Sequence, residues 1–200
     1  MEFLWNGGHT ARFHTVPTLK IDTVGHHSYN VACLLMTLRP DAPAHLLRAA
    51  LKHDAAEHIV GDMPAPTKRA LPDYHTVKFG PTEEVITFRE AFGKLEEDTA
   101  AQYGVSLEEQ GLTKEETWLL KLCDAMDGLR FCAQERRMGN RHTKLTEAGL
   151  NFASYVEKLL YGEGKYLKSP PVAFAQQQDI EMFRYLMGEW YSMGEWYEQR

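Results

Sequence analysis

The chain has 200 residues, enough for one domain with a sizeable core, with or without a helical extension. Hydrophobic residues make up 44 % and charged residues 25 %, the balance of an ordinary globular protein. A formal net charge of −6 argues against nucleic acid as the main partner, because that role needs a net basic face. A local group of cations would still allow a small anionic ligand.

In chain order, Val24 to Leu38 carries Val31, Leu34, Leu35 and Leu38 at helical spacing and stops at Arg39-Pro40. A second helix is expected from Asp41 to Glu57, with Pro43 in its first turn and Ala44, Leu47, Leu51 and Ala55 on one face. Gly61 to Pro72 is glycine- and proline-punctuated and reads as a structured loop. Thr82 to Tyr103 reads as a charged helix ended by Gly104, and Ser106 with Glu109 as a capping box for a short turn. Thr113 with Glu116 is a stronger capping box. It opens a long helix through Leu119, Leu122, Met126 and Leu129 that Gly139-Asn140 ends. Leu145 to Leu160 is a further helix, Gly162 to Pro171 a linker, and Gln176 onward helical again. No run of alternating strands is expected, so the fold class is all-α.

Cys33, Cys123 and Cys132 are odd in number and form no C-x-x-C pair, which points to reduced core thiols in an intracellular protein. Met1 to Gly8 lacks the apolar run of a signal peptide, and no segment approaches the ~18 apolar residues of a membrane span. A cytoplasmic protein with no membrane partner is expected. The tetrapeptide Gly-Glu-Trp-Tyr occurs at Gly188 and again at Gly194, and its aromatics are expected to pack on the core rather than to form a binding face. Arg136, Arg137, Arg141 and Lys144 read as a solvated basic face.

The strongest chemical signal is His53-Asp54, at the end of an apolar helix and followed by Glu57 on roughly the same face. His27 opens the preceding apolar helix. Asp124 lies within Lys121-Leu-Cys-Asp-Ala125, on an otherwise apolar helical face. A carboxylate there is costly unless a cation or hydrogen bonds satisfy it. His27, His53, Asp54 and Asp124 together make a mixed nitrogen and oxygen set suited to one divalent Mn, Co, Fe, Ni or Zn.

The order His, His-Asp, Asp resembles the HD-domain phosphohydrolase superfamily. The likeness is greatest to the branch of short 5′-deoxynucleotidases and phage dATP/dNTP triphosphohydrolases. It is carried by Arg12-Phe13, Thr23-Val-Gly-His-His-Ser28, His53-Asp-Ala-Ala-Glu57, Gly61-Asp-Met-Pro-Ala-Pro66 with Lys68, and Lys121-Leu-Cys-Asp124. The resemblance implies an all-α single HD-domain bundle over residues 1–160. Residues 161–200 would be a linker and a C-terminal helix, packed on that domain or at an oligomer interface.

By the same resemblance, His27, His53, Asp54 and Asp124 hold the metal and Glu57 is the catalytic acid/base. Arg12, Lys68 and Lys121 bind phosphate oxygens, Asp62 the 3′-hydroxyl and Phe13 the base. Two positions depart from the pattern: His26 stands where an acidic residue is common, and Phe13 where tryptophan is.

The implied activity is hydrolysis of 2′-deoxynucleotides at the 5′-phosphate by a cytoplasmic enzyme of a bacterial cell or its phage. The metal would be one divalent ion (Co, Mn, Zn or Ni), with Mg as a second ion only beside a triphosphate. Three cations exceed what one monophosphate beside a metal needs. That favours a dNTP triphosphohydrolase of the dATP type, with a dNMP 5′-deoxynucleotidase as the alternative. A cyclic-nucleotide hydrolase and a non-catalytic nucleotide sensor are more remote. The partner is a small deoxynucleotide, and a homo-oligomer is expected from the aromatic C-terminus and the resemblance.

Overall fold

The computed structural model describes residues 2–61, 77–79, 84–86, 88–103, 111–162 and 172–191. Eight helices and one small hairpin occur among them: α1 (Glu2–Gly7), α2 (Val24–Leu38), α3 (Ala44–Lys52), α4 (Glu57–Val60), β1 (Val77–Phe79), β2 (Glu84–Ile86), α5 (Phe88–Gln102), α6 (Lys114–Arg137), α7 (Thr143–Tyr161) and α8 (Gln177–Tyr191). The fold is all-α apart from the antiparallel pair, whose register sets Val77 opposite Ile86 and Phe79 opposite Glu84.

Helix α6 is the axis of the bundle. The capping box starts it: the Thr113 hydroxyl accepts from the Glu116 N–H while Glu116 accepts from the Thr113 N–H. Gly139, at φ 98°, lets the chain leave the helix, where a side chain would strain the backbone. Leu122, Met126, Leu129 and Cys132 along α6 are fully buried beside Leu35 and Leu38 of α2, Leu46 of α3, Leu145 and Leu160 of α7, and Leu186 and Trp190 of α8. The bidentate pair of Arg39 with Asp179, at 2.8 and 2.9 Å, ties the start of α8 to the end of α2.

Three elements differ from the sequence reading. The helix expected over Asp41–Glu57 is broken: α3 ends at Lys52, a tight turn occupies 53–56, and α4 resumes at Glu57. Within the turn the Ala55 and Glu57 N–H groups donate three residues back, to Lys52 and Asp54, in the tighter 3₁₀ pattern. Phe3, Ala55, Ala56 and Ala100 form a second small core behind the turn, and that burial holds the break.

The helix expected from Thr82 begins instead at Phe88, because β-branched Val85 and Ile86 pair with β1 first. Helix α1 was not anticipated. It is short and is held by Phe3, which stacks on Tyr103 at 4.8 Å and meets His58 edge-on at 4.7 Å.

At the C-terminus, the first Gly-Glu-Trp-Tyr copy puts Trp190 in the core beneath the Arg136 guanidinium at 4.6 Å, and Arg137 pairs with Glu189. Part of the basic face expected to be solvated is thus a tether for α8. The second copy, the Ser106–Glu109 box and most of the Gly61–Pro72 loop lie outside the described residues. No helix among the described residues is long and apolar enough to cross a membrane.

Candidate metal centre and phosphate site

The turn after α3 carries His53 and Asp54, whose side chains converge: Asp54 Oδ2 lies 3.4 Å from His53 Nε2 and 3.5 Å from His27 Nε2. His27 enters from the first turns of α2, with no solvent exposure, and Asp124 from the middle of α6. His27 Nε2 lies 3.3 Å from His53 Nε2 and 3.1 Å from Asp124 Oδ1. Ligating atoms of His27, His53 and Asp124 all fall within 4.8 Å of one another.

Hydrogen bonds on the far side of each ring orient these donors. His53 Nδ1–H donates to the Ala50 carbonyl at 2.8 Å, which turns its Nε2 lone pair into the site. His27 Nδ1–H donates to Asp127 Oδ2 at 2.7 Å, and Asp127 in turn accepts from Arg130 at 2.8 and 3.0 Å. Burial and Arg12 oppose a charge on His27, yet its bonds to Asp124 and Asp127 prevail and push its pKa up to about 9. Burial likewise opposes ionised Asp124 and Asp127. Their contacts with His27 outweigh it and hold both well below the usual carboxylate range. Without a metal, a proton on His27 Nε2 adds a positive charge to that of Arg12 among these acids. A divalent ion at that point would take its place, so the donor set fits a metal centre.

Arg12 is positioned by the segment before α2. Its N–H donates to the Asp22 carbonyl at 3.0 Å beside an Ala11–Thr23 bridge. Buried Glu135 accepts from the N–H groups of Leu19 and Lys20 at 2.6 and 2.9 Å, which clamps the segment to the end of α6. The Arg12 guanidinium lies 3.4 Å from Asp22 and 3.9 Å from both Asp124 and Asp127. Burial opposes its charge, but Asp54, Asp124, Asp22 and Asp127 raise its pKa.

Phe13 adopts φ 56°, a left-handed conformation a bulky residue seldom takes. The Phe13 ring stacks on Phe131 at 4.6 Å and approaches Phe152 at 6.0 Å, while the Arg12 guanidinium lies over the same ring, 5.7 Å from its centroid. Phe152 lies over Gly128, where a Cβ would stand 2.5 Å from its ring, so only glycine admits this approach of α7 to α6.

The structure therefore brings His27, His53, Asp54, Asp124 and Arg12 together. Glu57 is buried at the start of α4, one turn after Asp54, and its N–H donates to the Asp54 carbonyl at 3.1 Å. Lys121 is exposed on α6, one turn before Asp124. Asp62 and Lys68 lie outside the described residues. His26 turns away from the cluster to Asp22, 3.1 Å from its Nδ1. Asp127, Asp22 and Glu135 were missed. Asp127 alone had a legible signal, as a second carboxylate one turn beyond Asp124 on a mostly apolar helix. The cysteines are free, and burial pushes the Cys123 and Cys132 thiols up, as expected of core residues.

The sequence model of the YfbR-like 5′-deoxynucleotidase family matches residues 9–161. The chain belongs to that family. A curated relative, the 5′-deoxynucleotidase plu3092 of Photorhabdus laumondii, is 30 % identical over 101 residues. The match takes in 50 % of this chain and 50 % of the relative, so the chain spans about half the length of the relative it matches.

Two solved structures share the fold of this family member. One is the HD phosphohydrolase DatZ of cyanophage S-2L, bound to dA and one catalytic Zn2+; its TM-score is 0.64 at 19 % identity, covering 94 % of this chain and 96 % of that one. The other is an HD-domain phosphohydrolase of Listeria innocua (lin2634), with TM-score 0.57 at 16 % identity, covering 98 % of this chain and 90 % of that one. The chain thus has the HD-domain phosphohydrolase fold.

Proposed function

We propose that the protein is a metal-dependent phosphohydrolase that cleaves 2′-deoxynucleotides on the 5′-phosphate side. The observation that carries this reading is the convergence of His27, His53 and Asp124 ligating atoms within 4.8 Å, with Asp54 alongside. These four side chains would hold one divalent ion. Zinc, as in DatZ, or Mn, Co or Ni suits the mixed donors. When bound, such an ion supplies an acidified water and polarisation of a phosphoryl oxygen. Glu57, buried one turn past Asp54, is suited to orient the attacking water and take its proton. Lys121, exposed on α6 one turn before Asp124, and Lys68 keep the phosphate role that the resemblance implies, and Asp62 the 3′-hydroxyl role. Phe13, stacked on Phe131, offers the base an apolar wall.

The description of the matching family favours a deoxynucleoside monophosphate as the substrate. The dNTP triphosphohydrolase remains the second reading, supported by the three cations Arg12, Lys68 and Lys121 and by the resemblance of the motifs to that branch.

Product analysis separates the two: orthophosphate from dAMP supports the first, and inorganic triphosphate from dATP the second. Each substrate is tested with Mn, Co, Zn and Mg in turn. Asp54→Ala, folded but still fully active, would remove the basis of either.

Residues 1–160 are read as the catalytic unit, with α8 completing its core, in a cytoplasmic protein. A homo-oligomer is also proposed. Trp190 is spent inside the chain, so the support comes from exposed Trp5, Ile21 and Tyr29; light scattering of the purified protein measures the assembly.

A further inference from the structure

Two contacts set the register of antiparallel helices α6 and α7. Phe152 of α7 lies over Gly128 of α6, and the Trp118 indole N–H of α6 donates to the Leu159 carbonyl of α7 at 2.9 Å. Between these points fall Lys121 and Asp124 on α6 and Tyr155 and Lys158 on α7. The cleft therefore has an order along its length. At one end are Phe13, Phe131 and Phe152; in the middle, Asp124 faces the level of Tyr155; beyond them is Lys121. Tyr155 is one turn from Phe152 on the same side of α7 and is 38 % exposed, much like Asp124, whose side chain is 39 % exposed. Both are partly exposed rather than packed in the core. Asp124 and Lys158 lie near enough to act electrostatically on the Tyr155 hydroxyl, and a phenol is a neutral hydrogen-bond donor at ordinary pH.

We propose that Tyr155 is a substrate-binding residue whose hydroxyl donates a hydrogen bond to a phosphoryl oxygen of the bound deoxynucleotide, from the wall of the cleft opposite Lys121. The inference rests on the phosphohydrolase reading for the identity of the ligand. A phosphoryl group beside the metal-binding carboxylates must lie at the level of Asp124, which is the level of Tyr155. The base belongs a turn away, among the phenylalanines.

The test uses the full chain loaded with Mn2+ and compares Tyr155→Phe with wild type and with Tyr185→Phe, an exposed tyrosine on α8. Three quantities are measured: Kd for inorganic phosphate, KM and kcat for dAMP and dATP, and Mn2+ affinity. Loss of one hydrogen bond to a charged group is expected to weaken phosphate binding and raise KM about tenfold. Expected alongside are kcat within about twofold, unchanged Mn2+ affinity and melting temperature, and no effect in the α8 control. Unchanged phosphate affinity in Tyr155→Phe would overturn the proposal. Weakened Mn2+ binding would overturn it too, since the hydroxyl would then serve the ligand set. If wild type hydrolyses neither nucleotide but Tyr155→Phe still loosens phosphate, the phosphohydrolase reading fails while the phosphate contact stands.

Discussion

Replacing Asp127 with asparagine isolates the contribution of a residue that touches no substrate. In the native site Asp127 Oδ2 accepts the His27 Nδ1 proton at 2.7 Å, with both groups buried, while Oδ1 accepts from Arg130. The bond sets the plane of the imidazole, and the negative charge makes Nε2 a better donor to a metal. An asparagine can still accept from Nδ1–H but brings no charge, so ring orientation survives and basicity falls. Loss of such an outer partner typically weakens metal affinity 10- to 100-fold, or about 1.4 to 2.7 kcal/mol. Asp127→Asn is expected near the low end. Asp127→Ala, which also frees the ring, is expected near the high end. Chelator competition with Mn2+ or Zn2+ measures both, and circular dichroism checks the fold. Metal affinity equal to wild type in two folded variants would refute the idea that Asp127 acts through His27.

Further outcomes concern protons, chemistry and stability. Because His27 in the metal-free protein titrates at about 9, binding a metal must release its proton; affinity should rise about tenfold per pH unit up to that point and then level. Calorimetry in buffers of different ionisation enthalpy reads the released proton. The same shift makes a statement about the apo protein: the folded pKa lies above the ordinary 6.5, so the stabilisation is complete below pH 6.5 and is lost as pH rises through about 9. Denaturant titration of chelated protein should show stability falling across that window. Glu57→Gln is expected to lower kcat by roughly 10²- to 10⁴-fold with metal affinity near that of wild type, and a kcat within twofold would take Glu57 out of the chemistry. Asp179→Ala leaves Arg39 without its bidentate partner against a buried surface; a loss of about 3 kcal/mol, or roughly 6–12 °C in Tm, is expected in thermal melts, with kcat retained below the transition.

Much of the helical frame was legible because its signals are local. The expected ends of α2 coincide with those observed, and those of α6 and α7 lie within a residue or two, since caps, glycines and apolar spacing act over a few residues. The candidate ligands were legible for a related reason: a carboxylate such as Asp124 within an apolar stripe is a local contradiction that calls for a cation. What surrounds them was not. Asp22 and Glu135 look in the sequence like any loop or helix acids, and only the spacing of Asp127 from Asp124 hints at its role. Phe152 and Tyr155 look like members of an amphipathic face.

From its sequence alone, then, the chain specified an all-α framework and which side chains could bind a metal. Tertiary contacts alone decided how those side chains were aimed. Burial of Ala55 and Ala56 against Phe3 holds the turn from which His53 and Asp54 reach His27 of α2. The clamp on Leu19 and Lys20 by Glu135 accompanies an unfavourable Phe13 backbone that delivers Arg12 to four carboxylates. The free energies of these arrangements belong to pairs of groups far apart along the chain. Local propensity does not contain them, and they exist only once α2, α6 and the segments between have closed on one another.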